Sequence, residues 1–169
     1  KAGKNFKNLN LRFDIVFTSE LKRAQDTAKI ILENLEQWDQ LNSDNKIIKN
    51  INLNERDYGD LTGLNKKETA EKFGDDQVHK WRRGYSNKPP NGESLEDVVN
   101  RVKIYFDNEI MPAINKFENN SILIAAHGNS LRALLIVMNI YSSKNINSVE
   151  LSTGVPIHIL FENDSFSIK

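Results

Sequence analysis

A chain of 169 residues is long enough to bury one sizeable core and short for two. Its 23 Lys and Arg residues balance 23 Asp and Glu residues, so no global field argues for nucleic acid or a membrane surface, and any anion site must be local. The absence of cysteine excludes disulfides, thiolate metal sites and a cysteine nucleophile, and no stretch reads as a membrane span or a secretory leader.

Lys1 to Phe6 carry no initiator Met and read as the tail of a helix already under way, so the expectation is that a beginning is missing. Phe13 to Phe17 is rich in β-formers and predicts a strand that runs into Thr18-Ser19 as a helix cap. Leu21, Ala24, Thr27, Ala28, Ile31, Leu32 and Leu35 then form one apolar stripe at helical spacing. Residues 39–46 are polar and rich in Asn and Asp, which predicts a loop. Ile47 to Leu53 alternates apolar with polar, as a half-buried strand does. A charged loop with two glycines covers Asn54 to Gly63, a short helix covers Lys66 to Phe73, and Gly74 closes it.

Residues 75–94 predict a further short helix and then irregular chain around Pro89-Pro90. Ser94 to Asp97 resembles a capping box, with Asp in place of Glu at its third helical position. The helix it opens turns Leu95, Val98, Val99, Val102, Tyr105 and Phe106 inward, with a break expected at Pro112. Ile122 to Ala126 is a short continuous apolar run, which predicts a strand buried on both faces, and helical spacing resumes from Leu131. Val155 to Phe161 predicts a last main strand, turned by Asn163-Asp164 into a hairpin with Phe166 to Lys169. Strands that alternate with helices give a single three-layer α/β/α domain over residues 1–169, with a mostly parallel sheet and an antiparallel edge strand.

His127 sits where the strand 122–126 ends and the next helix begins, the edge at which open α/β sheets bind ligands. Gly128 allows close backbone approach, Asn129 or Ser130 can cap the helix, and its first N–H groups suit an anion. The alternative is a structural histidine at a strand–helix junction. Arg23 lies one helical turn beyond the strand 13–17, and its fork matches a phosphate, although a solvated helix arginine fits the position too. Glu55 and Tyr58 follow the strand 47–53 in the same way. Glu55 suits proton transfer to and from a hydroxyl, and equally an ion pair with Arg56 or a loop arginine. Arg82 and Arg83, beside Trp81, suit a carboxylate or phosphate, but adjacent helix arginines diverge, so one of them on the surface is a fair reading. His79 reads as surface and His158 as part of its strand. No metal constellation is visible. The residues alone thus reach an anion-binding α/β domain with one histidine and one carboxylate as candidates for phosphoryl or proton transfer.

Six blocks, Thr18 to Ala24, Leu53 to Lys66, Trp81 to Tyr85, Pro89 to Leu95, Ala125 to Arg132 and Thr153 to Pro156, resemble in order and spacing the cofactor-dependent phosphoglycerate mutases of the histidine phosphatase superfamily. The resemblance implies interconversion of 3-phosphoglycerate and 2-phosphoglycerate in the cytoplasm, primed by 2,3-bisphosphoglycerate and without a metal, and a possible homodimer. It implies that Arg23 binds the transferring phosphoryl group, that His127 stabilises its charge, and that Gly128 and Asn129 complete that phosphate site. Glu55 becomes the general acid/base, while Tyr58, Lys66, Arg82 and Arg83 hold the substrate's carboxylate and distal phosphate. No nucleic-acid or membrane partner is implied.

One departure stands out. The family's nucleophile is the histidine of an Arg-His-Gly motif on the first strand, and no such motif occurs among these residues. The expectation is that motif and strand belong to the full protein, because a sheet without an interior strand exposes apolar faces and unpaired edges. The 169 residues alone are then expected to be inactive. A phosphatase of the same superfamily and a non-catalytic phosphate-binding remnant are the alternatives.

Overall fold

A computed structural model describes residue 6, residues 11–116 and residues 121–169, with the side chain of Lys66 left aside. Strand β1 (Ile15–Thr18) forms the centre of a parallel sheet, flanked by β2 (Ile47–Lys49) and β3 (Ile122–Ala125) in the order β2-β1-β3. The register sets Val16 beside Ile47 and Leu123, and Phe17 beside Ile48 and Ile124. Because side chains alternate across a strand, Val16, Leu123 and Ala125 face one side and Phe17 the other.

Helix α1 (Lys22–Asn34) covers the first side. Its Ala24, Ala28, Ile31 and Leu32 are buried at helical spacing, as the sequence predicts, and close a core with Phe6, Leu41 and Val16. The second side is covered by α5 (Leu95–Tyr105) and α7 (Gly128–Val137), whose apolar faces pack on each other and on Phe17. Between them in the chain lie α2 (Trp38–Ser43), α3 (Lys66–Phe73), α4 (Asp75–Arg83) and α6 (Met111–Asn115). The three layers follow from this burial.

Several local expectations change. The polar stretch 39–46 is not simply a loop, because Leu41, 4% exposed, anchors α2 on the core and one apolar contact outweighs the polar composition. The strand expected over 47–53 ends at Lys49, where the Asn50 side chain accepts the Asn52 N–H and turns the chain into a 3-10 turn at Ile51–Leu53. Ser94 and Asp97 form the expected reciprocal capping box of α5. No break occurs at Pro112. A π-turn at Phe106–Ile110 precedes α6 and leaves Pro112 in its first turn, where the missing N–H has least consequence.

Strands β4 (Ile159–Glu162) and β5 (Ser165–Ile168) form the expected hairpin, with Asn163 and Asp164 both at positive φ in its turn. The first of these strands begins four residues later than expected from Val155. The hairpin is a separate two-stranded sheet, held to the core by Phe166 against Phe106, and not an edge of the parallel sheet. Among the described residues, β3 pairs only with β1. No described helix is long and apolar enough to cross a membrane.

Candidate active site

The start of α1 beyond the carboxyl end of β1, the loop that follows β2 and the end of α4 line one cleft of about 530 Å³. Arg23, Glu55, Arg56, Tyr58 and Arg82 line it. His127 lies behind the Arg23 side, 7% exposed, with Nδ1 accepting from Arg23 Nε at 3.2 Å and Nε2 lying 2.8 Å from Ser19 Oγ. Burial first, and then the Arg23 guanidinium, hold His127 below the ordinary histidine range, while the Glu55 carboxylate opposes them. The imidazole is therefore neutral near pH 7.

His127 is placed by α7. The helix begins at Gly128 with His127 as its cap, ahead of the Asn129 or Ser130 that the sequence suggests, and Ser130 Oγ accepts the His127 N–H while donating to the His127 carbonyl. A Cβ on Gly128 would come within 3.3 Å of Arg132 Nη1 and 3.9 Å of Glu55 Oε2, so glycine keeps this corner open. The Asn129 N–H, in the first turn of α7, donates to Glu55 Oε1 at 3.2 Å. That carboxylate oxygen also accepts the Arg56 N–H at 2.8 Å. Glu55 thus makes no ion pair with Arg56. Its carboxylate rests on backbone N–H groups.

The Glu55 loop is held from below by an arginine that sequence reasoning missed. Arg101 of α5 donates to the carbonyls of Asn52, Asn54 and Glu55, and pairs with Glu93 at 2.8 Å. Glu93 in turn accepts the Asp57 N–H. Arg56, 3% exposed, donates to the Glu93 and Trp81 carbonyls and lies 5.0 Å from the Tyr58 ring. In the sequence Arg101 is one more charged position in an amphipathic helix, and no local pattern marks it. Ser19, read there as a cap, accepts the Leu21 N–H and contacts His127.

The structure separates the two adjacent arginines. Arg82 reaches into the cleft, with its guanidinium 5.8 Å from the Tyr58 ring and its buried Nε without a hydrogen-bond partner among the described residues. Arg83 is exposed and does not line the cleft. The backbone of Lys66 opens α3, and its side chain lies outside the described residues. His79 and His158, both exposed, take no part in the lining. The cleft therefore offers guanidinium groups for anions and the carboxylates of Glu55 and Asp57, the first of them beside a neutral imidazole.

The whole chain, residues 1–169, matches the family model described as histidine phosphatase superfamily (branch 1). The chain belongs to that superfamily. A 2,3-bisphosphoglycerate-dependent phosphoglycerate mutase of Bartonella bacilliformis is 52% identical over 164 residues, which are 97% of this chain and 76% of the relative. One from Methylocella silvestris is 49% identical over the same shares. Among solved structures, the alpha-ribazole phosphatase of Shigella flexneri matches with a TM-score of 0.75 at 21% identity, over 99% of this chain and 78% of that one. Bacillus stearothermophilus YhfR matches with a TM-score of 0.77 at 20% identity over the same shares. At those identities the structures speak for the fold alone, whereas the two mutases extend the match to about half of the residues.

Proposed function

We propose that the protein interconverts 3-phosphoglycerate and 2-phosphoglycerate in glycolysis and gluconeogenesis, through a phosphohistidine primed by 2,3-bisphosphoglycerate. The observation that carries this reading is the 52% and 49% identity, along 97% of the chain, to relatives named for that dependence. The geometry agrees with it. We place the work in the cytoplasm, where its phosphorylated substrate belongs.

The nucleophilic histidine comes from outside the 169 residues. Of the three histidines present, His79 and His158 are exposed and off the cleft, and His127 has both ring nitrogens engaged with Arg23 and Ser19. Among the described residues β3 pairs with β1 alone, which supports a further parallel strand in the sheet. Such a strand would bring the Arg-His-Gly motif to the carboxyl edge beside His127.

The phosphohistidine supplies the transferring phosphoryl group, and the residues of this chain prepare its surroundings. Arg23 faces the equatorial oxygens, His127 stabilises the charge that develops on them, and the Gly128 backbone with Asn129 completes the cradle. Glu55 takes the proton of the substrate hydroxyl as oxygen bonds phosphorus, and returns it to the oxygen freed in the reverse transfer. Tyr58, Lys66 and Arg82 hold the carboxylate and the distal phosphate, while Arg83, outside the lining, adds positive charge from the rim.

The test is an assay of the protein carrying the Arg-His-Gly strand, with 3-phosphoglycerate and catalytic 2,3-bisphosphoglycerate. Isomerisation is expected. Release of inorganic phosphate that outpaces isomerisation would favour a phosphatase, and no turnover by a well-folded sample would sink both readings. The 169 residues alone are expected not to become phosphorylated, so an acid-labile phosphohistidine on them would overturn the assignment of the nucleophile.

A further inference from the structure

The second histidine of the site is held from both sides, and the two holds differ in kind. Arg23 Nε carries a hydrogen and no lone pair, so at 3.2 Å from His127 Nδ1 it is the donor and Nδ1 the acceptor. In a neutral ring the proton must then sit on Nε2, where Ser19 Oγ accepts it at 2.8 Å. Ser19 is 0% exposed, so no solvent replaces it there, and its Oγ is itself fixed by the Leu21 N–H at 3.1 Å. The result is a single tautomer whose basic nitrogen is turned to Arg23, the residue that lines the cleft.

An oxyanion drawn to Arg23 meets the lone pair of Nδ1. Lone pair against lone pair is repulsive, and a hydrogen at Nδ1 turns the contact into a charge-assisted hydrogen bond. The charged groups around the ring permit that change. Arg23 from α1 and Arg101 from α5 disfavour a ring proton, and Glu55 from the loop after β2 favours it. Arg132 of α7 is occupied by the carbonyls of Gly128 and Val149. A bound dianion neutralises Arg23 and tips this balance towards the imidazolium.

We propose that Ser19 is a positioning residue whose hydroxyl accepts the Nε2 proton of His127, keeps Nδ1 as the basic nitrogen at the site, and so makes the site bind a doubly charged oxyanion together with one proton. The proton comes from solvent and adds to Nδ1. The Nε2–H bond to Ser19 is kept throughout, and no heavy-atom bond forms or breaks. This inference rests on the reading of Arg23 and His127 as the phosphoryl site, and it adds what that reading leaves open: which ring nitrogen faces the anion, and in which protonation state.

The test uses the full chain with sulfate, which remains a dianion around neutral pH, so that any proton taken up belongs to the protein. Nitrogen-15 spectra of labelled histidine, with the His127 signals assigned by their loss in His127→Asn, should show the Nε2–H tautomer in the free chain. Saturating sulfate should protonate Nδ1. Calorimetry in buffers of different ionisation enthalpy should count about one proton taken up per sulfate, with Kd rising up to about tenfold per pH unit between the free and bound pKa values of His127. Ser19→Ala should give a mixture of tautomers and weaken sulfate by about three- to tenfold, and Ser19→Thr should restore one tautomer.

Sulfate that binds without proton uptake, or a free His127 protonated on Nδ1, overturns the proposal from the unsubstituted chain alone, whatever the folding of the variants. Unchanged tautomer and uptake in Ser19→Ala overturn the role of Ser19. Sulfate that leaves the His127 signals unmoved overturns the phosphoryl-site reading and this inference with it.

Discussion

The carboxylate of Glu55 accepts the backbone N–H of Asn129 at 3.2 Å, although the two residues lie 74 positions apart in the chain. This contact ties the loop after β2 to the N-terminus of α7, where backbone donors and the helix dipole favour a negative group. It brings the proposed acid/base and the proposed phosphate cradle to one corner. Glu55→Gln keeps an acceptor oxygen for both N–H groups but cannot carry the proton. In the protein that holds the Arg-His-Gly strand, kcat should fall by about 10²- to 10⁴-fold. Urea unfolding should change by less than about 1 kcal/mol. A large loss of stability with little loss of kcat would make Glu55 a loop anchor only.

Arg101 should act on the same carboxylate through the backbone. Its side chain satisfies three carbonyls around Glu55 and pairs with Glu93, and the pair is 19% and 26% exposed. Removing it strands those carbonyls and the Glu93 charge, at a cost of about 3–5 kcal/mol. Arg101→Ala should therefore lower the urea midpoint. In a double-mutant cycle Glu93→Ala should add little more once Arg101 is gone. Full additivity of the two changes would mean that they support the loop independently.

Two glycines of the same loop should respond differently to alanine. Both lie at positive φ, +53° at Gly59 and +79° at Gly63. A Cβ at Gly59 would meet the Pro90 carbonyl oxygen at 2.2 Å and the Gly92 nitrogen at 2.4 Å, whereas nothing lies within 4 Å at Gly63. Gly63→Ala should cost only the backbone strain, about 1–2 kcal/mol. Gly59→Ala adds a clash of backbone with backbone and should cost about 3–5 kcal/mol. Equal costs by urea unfolding would show that the loop shifts freely away from the 90–92 turn.

The contrast between Gly59 and Gly63 also marks where the sequence is legible. Periodicity locates α1 and α5 and the strands β1 and β3, because each buries a repeating apolar face, and chemistry-bearing residues at strand ends point to His127, Arg23 and Glu55. What periodicity misses is decided by single contacts. Leu41 turns a polar stretch into α2, and the Asn50 side chain ends β2 early. Besides near neighbours, Arg101 and Ser19 act through partners 46 to 108 residues away, and no local pattern can announce a contact at that range. The divergence of Arg82 and Arg83 follows from helix geometry, but which one enters the cleft depends on where α4 packs.

Stability should carry the signature of a histidine buried neutral. His127 is held below its ordinary value of 6.5, first by burial and then by Arg23. The unfolded chain therefore takes the proton first as pH falls. Stability should be level above about pH 6.5, decline as pH falls through the folded-state pKa, and level again below it. Subtracting the same curve measured for His127→Asn removes the carboxylates common to both. A difference that is flat from pH 7 to pH 4, or that rises on acidification, would contradict a neutral His127.

Arg82 should behave unlike a structural arginine. Its Nε is buried and has no partner among the described residues, while its guanidinium faces Tyr58 in the cleft. A buried donor without an acceptor costs the folded state, and a substrate carboxylate or phosphate would supply the missing partner. Arg82→Met keeps the apolar length of the side chain and removes the orphan donor. Unfolding free energy should stay level or rise by about 1 kcal/mol, while KM for 3-phosphoglycerate rises about 10- to 100-fold and kcat changes less. The same change at Arg83, exposed and outside the cleft lining, should raise KM less. Destabilisation by Arg82→Met with KM unchanged would return Arg82 to a packing role and leave the anion to other groups.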